Sequence, residues 1–330
     1  RLLRRSVMIY AKRILSVILF FGMLAAILLM ASFVFIPKNN MSEFGMEEAQ
    51  ANGILGEKEN TIDVLVLGDS ESYSSISPMQ IWKETGYTAY VCGTSAQPLN
   101  YSAVLLRRAF GKQKPKIVIL ETNAIYRKIS SNQAVNTALG NLFSVFQYHD
   151  RWKSLGLHDF TGKARFTWTD DYKGYRYNTK IVPSKIGHMK PTEAVAQIPD
   201  LNEQYVREMK ALCDENGSRL VLLSTPSTVN WNYERHNGIV TLAGALGCTY
   251  IDLNLMNDQV QIDWSRDTRD AGDHLNHFGA VKVTRYLSDY LKKTGLLTDH
   301  RVDADYAKWN DSLQKYTAVV ESGNANNANK

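Results

Sequence analysis

Ile62-Asp-Val-Leu-Val-Leu-Gly-Asp-Ser70 decides the fold of this chain. After Asp63 the run is apolar, rich in valine and too short for a core helix, which suits a buried strand. It stops at Gly68-Asp69-Ser70 and so leaves a serine at the carboxyl end of that strand, the edge where open α/β sheets place their ligands. Working outward, similar strand-like runs follow at Thr88 to Cys92, Lys116 to Glu121, Arg219 to Ser224 and Thr249 to Ile251. Helical segments separate them. Ser77-Pro78 supplies a cap and a first-turn proline and Gly86 a stop, predicting a helix over Pro78 to Thr85. Leu201, Tyr205, Val206, Met209, Leu212 and Cys213 share one helical face that Asn216-Gly217 ends. Strands alternating with helices at this spacing predict βαβ units, hence a three-layer α/β/α fold around a mostly parallel sheet.

Ahead of this domain, Arg1, Arg4, Arg5, Lys12 and Arg13 precede a run from Ile14 to Ile36 that carries no charge. Such a run is long enough to cross a bilayer as a helix. A cleaved signal peptide, the competing reading, has a shorter apolar core followed by a small-residue cleavage site, whereas this run ends at Phe35-Ile36-Pro37. A retained anchor makes residues 1–13 a cytoplasmic basic stub by the positive-inside rule, 14–36 a single membrane span, and everything past Pro37 extracytoplasmic. The chain has 38 Lys and Arg against 33 Asp and Glu, a net charge of +5, and the five basic residues before the span account for all of it. The exported part is near neutral and gives no support for nucleic-acid binding.

Residues 37–60, polar and acidic, read as a linker between span and domain. The domain covers 61–300 with an insertion at about 126–199, aromatic-rich and poorly periodic, which is either a satellite core under a long loop or a lid. A C-terminal extension, 301–330, ends in an Asn- and Ala-rich stretch from Glu321 to Lys330 that is expected to be disordered. Cys92, Cys213 and Cys248 are odd in number and lack the spacings of metal sites or redox pairs, so they read as buried free thiols. No metal cluster or phosphate-cradling glycine loop is visible, and neither metal nor cofactor is expected.

The second motif is Asp270-Ala-Gly-Asp-His-Leu-Asn276. A serine hydroxyl is a poor nucleophile at neutral pH, and His274 is suited to take the Ser70 proton during attack and return it to the leaving group. A carboxylate, Asp270 or Asp273, would hold the imidazole in the right tautomer. Asp270 is preferred, because adjacent side chains in an extended segment point apart while a more distant one can curl back.

Four separated segments resemble, in order, the blocks of the SGNH or GDSL-type hydrolase superfamily. Gly68-Asp69-Ser70 resembles its nucleophile block, Gly93 its glycine block, Glu121-Thr-Asn123 its Gly-x-Asn-Asp block and His274-Leu-Asn-x-x-Gly279 its histidine block. The resemblance spans Thr61 to Leu291 and implies a flavodoxin-like α/β/α domain working through an acyl-Ser70. It implies an oxyanion hole formed by the backbone N–H groups of Ser70 and Gly93 and the Asn123 amide. The chain departs from the pattern at Glu121 and Ala124, where the third block has glycine and aspartate, and at Ala271, where the last block has aspartate. Within the superfamily it is most similar to membrane-anchored proteins related to DltD, the D-alanyl-lipoteichoic acid biosynthesis protein, and to alginate O-acetyltransferases. That similarity implies a partner, a multispanning membrane-bound O-acyltransferase, and an acceptor, an envelope polysaccharide or teichoic acid.

Water or a polymer hydroxyl can resolve an acyl-serine with the same residues. An O-acyltransferase, most simply an O-acetyltransferase, therefore stands beside a membrane-tethered esterase and a non-catalytic scaffold of an acyltransferase complex. Asp69 and Trp231 are expected at the substrate; for the Ser224 to Trp231 loop the alternative is a helix cap with Trp231 in the core. Asn276 is expected to cap the last domain helix and His277 to lie on the surface of its first turn.

Overall fold

In the computed structural model the backbone is described for residues 2–328 and side chains for residues 8–323. Five strands form, β1 Val64–Gly68, β2 Ala89–Gly93, β3 Ile117–Glu121, β4 Arg219–Ser224 and β5 Thr249–Asp252. All pair in parallel, in the order β2-β1-β3-β4-β5. Each lies within two residues of its expected place. Leu65, Leu67, Val118, Leu120, Leu220 and Leu222 face one core, and Val64, Val66, Ile117, Ile119, Val221 and Leu223 the other. Burial on both faces is why the runs read as continuously apolar.

The main helices are α1 Leu2–Phe35, α2 Ser70–Ser75, α3 Pro78–Thr85, α4 Leu99–Phe110, α5 Ser131–Leu142, α6 Ser144–Tyr148, α7 Leu157–Thr161, α8 Asp200–Glu215, α9 Tyr233–Leu246, α10 His277–Thr294 and α11 Ala307–Ala328. Helices α4, α8 and α9 cover the first core and α10 covers the second. The sheet is thus the middle of three layers. Pro78 opens α3, and Gly86, with φ of 72°, ends it in the left-handed conformation that glycine adopts without strain. Within α1, Met8–Phe35 is long and apolar enough to cross a membrane.

In this order the chain leaves β1 toward β2 on one side and returns to β3 on the other. The topological switch point, where such sheets open a crevice at their carboxyl edge, therefore lies between β1 and β3. Ser70 follows β1 and Asn123 follows β3.

The supposed linker 37–60 is folded onto the domain instead. Met46, Ala51 and Ile54 are buried, and the fully buried Asn40 donates from Nδ2 to the carbonyls of Asn52 (3.2 Å) and Trp168 (2.5 Å). Glu57 accepts a buried ion pair from Lys173 at 2.8 Å, with the ammonium 4.9 Å from the Trp309 ring centroid. Composition marked this segment as solvated, yet Asn40 and Glu57 find partners in Trp168 and Lys173, more than a hundred positions away.

The tail is not irregular either. Helix α11 continues to Ala328, so most of the stretch expected to be disordered is helical, while residues 329 and 330 lie outside the described residues. Trp309 and Tyr316 anchor the helix, Trp309 5.5 Å from the Trp82 ring and Tyr316 with its hydroxyl 3.1 Å from Ser77 Oγ.

The insertion has two parts. Helices α5 to α7 gather beside the end of α1, and the stretch after Thr161 runs as an irregular strap. Val91 of the outer strand β2 donates to the Lys173 carbonyl at 2.9 Å, which satisfies a sheet edge. Farther on, Val182 donates to the Thr268 carbonyl and accepts from Ala271 N, bracing the loop that carries His274. This is a satellite structure that buttresses the site. Cys92 and Cys213 are buried free thiols and Cys248 a half-buried one; burial pushes Cys213 up to about 12.

Candidate active site

Ser70 is the first residue of α2, directly after β1, and is half-buried. The turn is tight because nothing stands in the way. A Cβ on Gly68 would lie 2.6 Å from Glu121 Cβ, and one on Gly93, its partner across the sheet, 2.4 Å from Ser72 Oγ. Ser72 Oγ donates to the Asp69 carbonyl at 2.7 Å, so α2 packs straight onto the ends of β1 and β2. Gly93 is needed for this close approach.

His274 sits on a loop closed by a bridge between Thr268 and Leu275. Ala271 and Gly272 turn the chain with φ of 61° and 94°, and Thr268 Oγ1 accepts from Gly272 N at 2.8 Å. That turn brings Asp270 back over His274. Asp270 Oδ2 lies 2.7 Å from His274 Nδ1, and its Oδ1 accepts from the His274 backbone N–H at 2.6 Å. Asp273 Oδ2 is 3.5 Å from the same nitrogen. With the Nδ1 proton held by Asp270, Nε2 is left as the basic atom.

Asn230 joins the two motifs. Its Nδ2 donates to Glu71 Oε1 at 2.8 Å and to Asp273 Oδ1 at 2.5 Å. The residue after Ser70 and the residue before His274 thus share one amide. Ser227, in the same loop, donates to the Asp273 carbonyl at 2.9 Å, so the loop after β4 braces the histidine loop. Asn230 and Glu71 escaped the sequence reading, although Asn230 lies in the Ser224 to Trp231 loop that it marked.

Beneath Ser70 lies a cluster of three buried carboxyl groups. Asp69, Glu71 and Glu121 are each at most 1% exposed. Asp69 Oδ1 accepts from Glu71 N, and its Oδ2 from Asn123 Nδ2 and Arg127 Nη2, both at 3.0 Å. Glu121 Oε2 accepts from Asn123 N at 3.0 Å. Burial, then the nearby Glu121 and Asp69, push the Glu71 carboxyl well above the usual range; burial and Asp69 do the same to Glu121. Burial beside another carboxyl group disfavours the charged form of both Glu71 and Glu121. Arg235 reaches the edge of the cluster, donating from Nη1 to Asn123 Oδ1 at 3.2 Å.

Several expected roles change. Asp69 cannot contact substrate, because it is fully buried and its carboxylate caps α2 and holds Asn123 and Arg127. Trp231 is core, 3% exposed, its Nε1 donating to Asp252 Oδ2 at 2.9 Å. His277 is not on the surface: it is 4% exposed, its Nδ1 3.1 Å from the Tyr175 hydroxyl and its ring 4.7 Å from that of Tyr177, and burial lowers it to about 4. Asn276 caps α10, accepting from Phe278 N and Gly279 N. Asn123 uses one amide N–H on Asp69 and keeps a second.

The donor atoms of Asp270, Asp273 and His274 lie within 4.8 Å of one another, a grouping the sequence did not suggest. A metal there would have to displace the bond between His274 Nδ1 and Asp270, so the residues fit a hydrogen-bonded pair better than a ligand set.

No family model matches the chain, and no curated protein matches it. Among solved structures it is similar to a GDSL-like lipase from Bacteroides thetaiotaomicron, with 12% identity over 70% of this chain and 88% of that one and a TM-score of 0.35. It is also similar to a psychrotrophic esterase from Pseudoalteromonas sp., with 8% identity over 70% and 97% and a TM-score of 0.38. A lipase/acylhydrolase from Enterococcus faecalis gives 12% identity over 72% and 98%, with a TM-score of 0.38. Likenesses this low carry no argument about chemistry.

Proposed function

We propose that this chain is a membrane-anchored, extracytoplasmic acyl-transfer enzyme of the SGNH type that works through an acyl-Ser70. One observation carries the reading. Ser70 lies at the switch point of a parallel sheet, and Asn230 bonds its neighbour Glu71 to Asp273, the neighbour of a histidine whose Nδ1 is 2.7 Å from the Asp270 carboxylate. In the first step the Ser70 oxygen attacks the acyl carbonyl while its proton passes to His274 Nε2. The bond to the leaving group then breaks and the departing oxygen takes that proton. The developing oxyanion is met by the N–H groups of Ser70 and Gly93 and the second N–H of Asn123, each donor worth on the order of a hundredfold in rate. In the second step a hydroxyl oxygen attacks the acyl-Ser70 carbonyl while its proton passes to His274; the bond from Ser70 Oγ to the acyl carbon then breaks, and His274 returns the proton to Ser70 Oγ.

The hydroxyl belongs, in this reading, to an envelope polysaccharide or teichoic acid, with acetyl the simplest acyl group. A multispanning membrane-bound O-acyltransferase is the expected supplier. Both follow from the resemblance to anchored O-acetyltransferases, and the apolar helix α1 ahead of the domain supports membrane attachment. The test is to incubate the full chain and a Ser70→Ala variant with p-nitrophenyl acetate and a candidate polymer. Ser70-dependent p-nitrophenol release with acetyl appearing on the polymer is expected. Ser70-dependent release yielding only free acetate would replace transfer by hydrolysis, and equal behaviour of the two proteins would overturn the catalytic reading.

A further inference from the structure

The insertion carries large apolar side chains in solvent beside the end of the apolar helix. Leu142 is 68% exposed, Phe146 43%, Trp152 63%, Leu157 89% and Phe160 56%. Scattered singly, such residues need no explanation. These five lie within twenty residues, on or next to short elements that pack on α1: α6, α7 and the 3-10 turn His149–Lys153.

The contacts fix their level. Val145 donates its backbone N–H to Ser32 Oγ at 3.2 Å, and Arg151 donates from Nη1 to the Phe35 carbonyl at 2.5 Å while pairing through Nη2 with Asp159 at 2.8 Å. Ser32 and Phe35 belong to the last turn of the Met8–Phe35 stretch. At 1.5 Å per residue, Ser32 lies only ~5 Å below the end of α1, about the depth of the headgroup boundary. Elements bonded to the helix there cannot stand clear of a bilayer that the helix crosses.

We infer that residues 142–163 form a second membrane contact, a lipid-facing platform that rests in the headgroup layer of the bilayer crossed by α1. Its chemistry suits that layer. Trp152 and Phe160 are residue types that favour the interface, Lys153 lies with Nζ 5.4 Å from the Trp152 ring centroid, and Lys163 and Arg165 are exposed to meet lipid phosphates. The charged group most enclosed within the platform, Arg151, is paired with Asp159 and so does not oppose insertion. With two attachments the domain cannot swing freely about Pro37, and the edge bearing Ser70 keeps a fixed attitude to the membrane.

The inference rests on the proposal that α1 spans a bilayer, and the experiment separates the two. Single cysteines at Leu157, at Met23 in the span and at Val302, which is 99% exposed, are introduced into the full chain with Cys248 replaced by alanine. Each is labelled with a nitrobenzoxadiazole probe and reconstituted in phosphatidylcholine–phosphatidylglycerol vesicles containing lipids brominated at shallow or deep acyl positions. The Met23 probe should lose emission most with deep bromines, the Leu157 probe most with shallow ones, as for a group ~5–10 Å into the boundary, and the Val302 probe with neither. Quenching at Met23 without quenching at Leu157 overturns the platform alone, including the case in which a second copy covers it. Quenching at neither position overturns the platform and the span together.

Discussion

Asp270 and Asp273 both flank His274, and replacing each with asparagine separates the residue that orients the imidazole from its neighbour. Asp270 makes two bonds to His274, 2.7 Å to Nδ1 and 2.6 Å from the backbone N–H. Asp273 stands 3.5 Å from Nδ1, and its other oxygen is held by Asn230 at 2.5 Å. In Asp270→Asn the amide can present N–H to Nδ1, favouring the tautomer whose proton sits on Nε2, where a base is needed. In triads of this kind that error costs about 10⁴ in kcat. At 1.36 kcal/mol per decade this is about 5 kcal/mol of transition-state stabilisation. Asp273→Asn removes no close bond to the ring and should cost less than about tenfold. Steady-state hydrolysis of p-nitrophenyl acetate by the full chain gives kcat and KM separately, with circular dichroism confirming that both variants fold. KM should change little in either. A larger fall in kcat for Asp273→Asn than for Asp270→Asn would refute this assignment.

Three further outcomes are expected. Glu71 and Glu121 have carboxyl groups raised in the fold above the ordinary value of about 4.5, so their contribution to stability is complete below that value and is lost as pH rises through the raised values; the thermal midpoint should fall from pH 5 upward, and Glu121→Gln should flatten the decline. A pH-independent midpoint in the wild type would count against the cluster. Gly93→Ala places a Cβ 2.4 Å from Ser72 Oγ and should cost ~1–3 kcal/mol by chemical denaturation; an unchanged midpoint would mean that α2 does not press on β2. Trp231→Phe removes the donor to buried Asp252 and should cost ~1–3 kcal/mol while leaving KM for a polymer acceptor unaltered, whereas a raised KM would return Trp231 to the substrate.

The sheet was legible because strands buried on both faces announce themselves as short apolar runs, and α3 because Pro78 and Gly86 punctuate it chemically. Resemblance to a motif set singled out Ser70, Gly93, Asn123 and His274, of which the structure places Ser70 and Asn123 after the neighbouring strands β1 and β3, and the turn at Ala271 and Gly272 explains how Asp270 curls back from four residues away. What escaped depends on partners distant in sequence. Asn40 and Glu57 look solvated until Trp168 and Lys173 arrive from the insertion. His277 looks like a first-turn surface residue until Tyr175 and Tyr177 enclose it. Asn230 carries no motif, and its position between Glu71 and Asp273 exists only once two loops meet the start of α2 at the sheet edge.

The central claim is that Ser70 becomes acylated. Intact-protein and peptide mass spectrometry of the full chain, quenched in acid seconds after mixing with p-nitrophenyl acetate, tests it most directly. One acetyl group should appear on the peptide containing Ser70, accumulate further in Asp270→Asn only if deacylation is slowed more than acylation, and be absent from Ser70→Ala. Acetylation that persists at the same level in Ser70→Ala, or a wild-type chain that turns over substrate with no adduct on that peptide even at the earliest times and with an active-site phosphonate, would contradict the account.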